Sequence, residues 1–137
     1  MSVANRYNSG LGHVPAYQAA AIPWLSSSLS VPASGSTPLE ISFASVSKFV
    51  IITNTLLGGD TNVPLRFGFS SNGVMGSVDS NYGILNNGES FEAGFKVSRV
   101  YLMSDSVVEC SASVIAGLTS IDAVHLALNW SGSEGVG

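Results

Sequence analysis

The sequence predicts an all-β fold: an antiparallel β-sandwich or jelly roll of about 7–8 strands with an extended N-terminal arm. Three observations carry that prediction. Short runs alternate apolar and polar residues with the two-residue period of a strand. Glycine- and asparagine-rich groups separate these runs at strand-length intervals. Helical periodicity is weak throughout, and even the best candidate, Ser120–Leu128, alternates better than it repeats every 3.6 residues.

The arm comes first. Pro15, Pro23, Pro32 and Pro38 all lie within the first 38 residues. Proline fixes its own φ, lacks a backbone donor and pushes the preceding residue toward extended conformations. Residues 1–36 therefore read as an extended arm, neither helix nor central strand. Val14, Tyr17, Ile22, Trp24 and Leu25 within it need burial, either on the domain's own surface or on a neighbouring subunit. Val14, Tyr17, Ile22 and Trp24 are the expected interface residues.

Residues 37–130 read as the β domain. Leu39, Ile41 and Phe43 alternate with Glu40 and Ser42, as on a half-buried strand. Lys48–Thr55 holds the continuous run Phe49–Ile52 and reads as a strand covered on both faces. Further alternating runs place Leu65, Phe67 and Phe69 on one face, then Phe91, Ala93, Phe95 and Val97, then Val108, Cys110, Ala112 and Val114. Val124, Leu126, Leu128 and Trp130 complete the series. Gly58-Gly59-Asp60, Asn72-Gly73 and Asn87-Gly88 read as turns, because Gly and Asn accept positive φ at little steric cost. Residues 131–137 carry Val136 as their one apolar anchor and read as a flexible tail.

Composition narrows the function classes. The 137 residues are 45% hydrophobic and 10% charged, with a formal net charge of −4. About 25% charge is usual for a soluble domain, so polarity here rests on neutral groups such as the 24 serines. Five Lys and Arg against nine Asp and Glu argue against nucleic-acid binding, which needs clustered cations. Phe49–Ile52 falls far short of the roughly 18–20 apolar residues of a membrane helix, so no membrane association is expected. The first residues show no charged segment followed by an apolar one, so no secretory signal is expected.

No reaction is announced, and the expectation is a protein that is not an enzyme, with no cofactor and no metal. His13 and His125 lie at opposite ends of the chain, a poor start for a zinc site. Asp79-Ser80-Asn81-Tyr82-Gly83 resembles the start of a calcium loop, but its glycine arrives one place early and Ser90 stands where the bidentate Glu belongs. Cys110, the single cysteine, falls on an apolar strand face and reads as core. Glu89 and Glu92 are three apart at a strand start, which directs them to opposite faces. Tyr82 is the best exposed aromatic for an alternative role in binding carbohydrate.

Four segments carry a resemblance: 8–28 (NSGLGHVPAYQAAAIPWLSSS), 65–74 (LRFGFSSNGV), 81–102 (NYGILNNGESFEAGFKVSRVYL) and 114–121 (VIAGLTSI). Together, over about half the chain by texture and segment order, they resemble virion structural proteins of tailed bacteriophages, of marine and cyanophage type. Among these they resemble especially the head-decoration or cement proteins, without separating them from head fibres or other accessory subunits. The resemblance implies a β-rich homo-oligomer, a trimer favoured, made in the host cytoplasm and located on the outer capsid surface. Its implied partner is the major capsid protein, and its implied work is bridging subunits against internal pressure. The alternative is a head-fibre or tail accessory module that binds host-surface carbohydrate.

Overall fold

The computed structural model describes residues 21–56, 61–76 and 80–122. Within them run eight strands: β1 (Ile22–Val31), β2 (Leu39–Ser42), β3 (Ser45–Asn54), β4 (Leu65–Gly68), β5 (Tyr82–Leu85), β6 (Ser90–Ala93), β7 (Arg99–Ser104) and β8 (Cys110–Asp122). A one-turn helix, α1 (Ser71–Met75), lies between β4 and β5. The strands form two four-stranded antiparallel sheets, sheet A in the order β1-β8-β3-β6 and sheet B in the order β2-β7-β4-β5. The pairs β1–β8, β2–β7, β3–β6 and β4–β5 nest inside one another, as in one long hairpin rolled over on itself.

One core lies between the sheets. Val31, Val50, Ile52, Val114 and Ala116 from sheet A meet Ile41, Leu65, Val100 and Leu102 from sheet B, and every one of them is buried. Alternation explains the selection: along β8, Cys110, Ala112, Val114 and Ala116 point inward while Ser111, Ser113 and Ile115 point out. Cys110 is core, as its strand position implies. Burial pushes its thiol pKa up, against a smaller lowering by a hydrogen bond with Ser104.

The described part of the expected arm divides into structure of its own. Residues 1–20 lie outside the described residues. Ile22–Val31 is β1, paired along β8 from Ile22–Leu118 to Val31–Cys110, so the sheet begins at residue 22. It is an edge strand, the place where Pro23 forfeits no ladder bond. A register shift between Ser26 and Leu29 accompanies the left-handed backbone of Ser28 (φ 57°), and this bulge bends the edge.

Other boundaries shift for local reasons. The run from Phe91 to Val97 is a ladder only to Ala93, and β3 slips its register against β8 on either side of Ser47. The Ser47 hydroxyl donates to the Phe95 carbonyl (2.6 Å) and accepts from the Val97 amide (3.0 Å), satisfying groups the ladder has lost. β8 starts at Cys110, two residues after Val108, because its partner β1 ends opposite Cys110. β3 is buried fully on its inner side at Val50, Ile52 and Asn54 but only half covered at Phe49, Ile51 and Thr53. Asn72-Gly73 sits inside α1, which is capped by Ser70 at its start and by Gly76 at its end. The expected Val124–Trp130 strand, the tail and Gly58-Gly59-Asp60 lie outside the described residues.

Candidate functional site

The antiparallel pairing gives the molecule two distinct ends. At one, the loops between β1 and β2, β3 and β4, β5 and β6, and β7 and β8 are joined by hydrogen bonds. Ser34 N–H donates to Ser106 O (2.8 Å), Ser104 N–H to Pro32 O (2.9 Å) and Asp105 N–H to Pro64 O (2.9 Å). Asn62 and Asn87 tie the β3–β4 and β5–β6 loops through Asn62 Nδ2 to Asn86 Oδ1 (2.8 Å) and Asn87 N–H to Asn62 Oδ1 (3.0 Å). At the opposite end, Ile22 lies across from Leu118 and Ser45 across from Asp122, so residues 1–20 and 123–137 both attach there.

Asn54 organises the loop end. It closes β3 with its side chain fully buried. Its Nδ2 donates to the carbonyls of Val63 and Leu85 (both 3.0 Å), and its Oδ1 accepts from Leu56 N–H (3.1 Å). Its backbone bonds to Glu89 O and Gly88 N–H. One side chain therefore ties both ends of the β3–β4 loop to the end of β5.

From this platform projects the β7–β8 loop. Val107 is 87% exposed and Val108 48%. The loop's stem is fixed on both sides: Ser106 N–H donates to Ser104 Oγ (3.1 Å), and Ser30 Oγ donates to Glu109 Oε2 (3.4 Å). Two adjacent valines thus stand exposed to water at the tip of this loop.

Arg66 anchors the same stem from sheet B. Its Nε donates to Asp105 Oδ1 at 2.6 Å, and Nη1 donates to the Val74 and Met75 carbonyls at 3.2 Å each. These are carbonyls at the C-terminal end of α1, which lack partners within so short a helix. The guanidinium also stacks 4.4 Å from the centre of the Tyr82 ring. Arg66→Ala is expected to lower the unfolding free energy by about 1–2 kcal/mol, since it removes a charge-assisted bond and leaves two part-buried carbonyls without their donor. Urea unfolding checks the size, and hydrogen exchange should show amide protection falling first at Gly76 and Asp105.

Tyr82 itself, the expected carbohydrate contact, is half-buried on β5, packed with Val74, Tyr101 and Met103. It also borders an open groove of about 220 Å³ lined by Phe67, Gly68, Phe69, Asn81, Tyr82 and Gly83. Phe67 reaches this groove because β5 offers it Gly83, where any Cβ would collide with the Phe67 ring. The groove's polar side-chain groups are those of Asn81 and Tyr82.

The outer faces of the two sheets differ. On sheet B, α1 covers Tyr101 and Met103 through Val74, and all three are buried. On sheet A, cross-strand register aligns Leu25, Ile115 and Ile51 in one row, with Pro23, Gly117 and Phe49 in the next. Leu25 is 70% exposed and Ile115 38%. A polar row of Ser113, Thr53 and Ser90 borders them.

Of the expected interface residues, Ile22 and Trp24 are described. Val14 and Tyr17 lie outside the described residues. Ile22 is exposed at the start of β1. Trp24 is half-buried and packs edge-on against Phe43 at 5.0 Å, inside its own domain. Glu89 accepts from Asn86 N–H (2.7 Å), a local turn bond, while Glu92 is exposed on β6. His13 and His125 lie outside the described residues. Among the described residues no three His, Cys, Asp or Glu gather as metal ligands, and no helix is long and apolar enough to cross a membrane.

Val107 escaped the sequence reading because Val108 fitted the alternation of the following strand. The better signal was that Asp105 and Glu109 bracket the pair, with the strand's own partner ending too early to reach it. Neither a protein-family model nor a curated protein matches this chain.

Proposed function

We propose that the protein is a non-enzymatic structural subunit of a phage virion, a decoration or cement protein that binds the outer head surface and links its subunits. Its partners in this reading are the major capsid protein and further copies of itself, as a trimer. The observation that carries the proposal is the Val107–Val108 tip, an exposed apolar pair at the end of the sandwich opposite the start of β1 and the end of β8. A bridging subunit needs contacts at separated places, and this layout supplies one end for the shell and another for neighbours.

The strand order supports the finer fold assignment. Nested pairs across two four-stranded sheets are the pattern of a jelly roll, an architecture that serves viral capsid domains as well as lectins and cupins. Fold alone does not choose among those functions, so the exposed valines carry the choice. Within the bridging role, Ile22 and the arm residues Val14 and Tyr17 belong to the neighbour-facing end, while Trp24 holds β1 on its own core. The carbohydrate alternative has less support, because one Tyr82 ring face already takes Arg66. Co-sedimentation of purified chain with phage heads lacking it tests the proposal. Saturable binding to heads is the expected result, and a chain that stays in the supernatant overturns it.

A further inference from the structure

We propose that Asn87 is a latent deamidation site, closed to reaction while the loop end is assembled and able to disable that end permanently once it opens. The site is independent of the virion reading. Asn-Gly pairs deamidate readily, because glycine has no side chain to hinder the attacking nitrogen. The Gly88 backbone nitrogen attacks the Asn87 side-chain carbonyl carbon and closes a five-membered imide ring. The Asn87 side-chain nitrogen leaves as ammonia, taking the proton that Gly88 gives up. Water then opens the ring to aspartate or to isoaspartate, in which the main chain runs through the former side chain. Water is the one co-reactant, and nothing is oxidised or reduced.

The fold draws the two reacting groups toward different partners. Gly88 N–H donates to the Asn54 carbonyl (2.9 Å), so the nucleophile's proton is engaged. The Asn87 amide is drawn across to the β3–β4 loop, where Oδ1 accepts from Val63 N–H and Nδ2 donates to the Thr61 carbonyl, both at 3.0 Å. Ring closure needs the nitrogen about 3–3.5 Å from the carbonyl carbon and aligned on it. The side chain must release both bonds to turn back on Gly88. Asn62 locks the turn from outside, accepting from Asn87 N–H (3.0 Å) and donating to Asn86 Oδ1 (2.8 Å). Reaction therefore proceeds from the locally opened loop. Its product cannot rebuild the lock. A carboxylate has no donor for the Thr61 carbonyl, and isoaspartate adds a carbon to the main chain.

Peptide mass spectrometry of the full-length chain, aged in mildly alkaline buffer with and without concentrated urea, tests this. The second Asn-Gly pair, Asn72-Gly73 in α1, is the internal standard. In urea the two pairs should deamidate at similar rates. In the folded chain Asn87 should react at least about tenfold slower than in urea, because only the open fraction reacts. Asn62→Ala should raise the folded-state rate at Asn87 several-fold and leave that at Asn72 unchanged. The deamidated chain, separated by its extra negative charge, should lose hydrogen-exchange protection at the Val63 and Gly88 amides. A folded-state rate at Asn87 equal to that in urea overturns the proposal. So does an Asn62→Ala chain whose Asn87 rate is unchanged, or rises only in step with Asn72 as global unfolding would make it. Full protection at Val63 and Gly88 after deamidation overturns the permanent loss.

Discussion

Replacing Asn54 with alanine is expected to lower the unfolding free energy by about 3 kcal/mol, the largest effect of any polar substitution at the loop end. The Val63 and Leu85 carbonyls lose their shared buried donor, and the part-buried Leu56 amide loses its acceptor. Unsatisfied buried groups carry their full desolvation cost, about 1–3 kcal/mol each, with partial relief as loops relax and water enters. The corresponding fall in melting temperature is on the order of 10 °C for a domain of this size. Asn54→Asp should fare no better despite its matching shape, because it sets an acceptor against two carbonyls and buries a charge. Urea unfolding with an unchanged slope checks both variants. A loss under about 1 kcal/mol for Asn54→Ala would mean that the β3–β4 loop and the end of β5 are held by something other than this side chain.

The second large effect concerns association. Joint replacement of Val107 and Val108 by aspartate should reduce affinity for heads by about a hundredfold or more. Burying two valines contributes roughly 1.5–3 kcal/mol each, and carboxylates forced into the same contact add a desolvation cost. Folding should be nearly unaffected, since both side chains project into water and their loop's stem bonds involve Ser30, Ser104, Ser106 and Asp105. The pairing of an unchanged melting temperature with lost co-sedimentation separates a docking role from a structural one. If the doubly substituted chain binds heads as tightly as the unsubstituted one, the loop tip is not the contact.

How far these features were legible in the sequence depends on whether they are local. Period-two alternation located β2, β4 and the inward side of β8, because burial of one sheet face leaves a direct trace in residue order. β1 was hidden by Pro23 and by the serine run Ser26–Ser28, which suit a bulged edge strand but lack alternation. β7 was hidden for the opposite reason. Arg99–Ser104 is buried almost throughout, by the core on one side and by α1 on the other, so its sequence does not alternate. The Arg66 anchor and the Asn54 hub join residues that are far apart in the chain, and no spacing rule announces them. The asymmetry of the two outer faces likewise exists only once Leu25, Ile115 and Ile51 are brought into register.

Imaging heads incubated with the purified chain by electron cryomicroscopy tests the central claim most directly. Added density on the outer shell is expected, with the loop end, led by Val107 and Val108, against the capsid protein and β1 turned toward neighbouring copies. Heads without added density, or density docked through the Tyr82 groove with the valine tip in solvent, would contradict it.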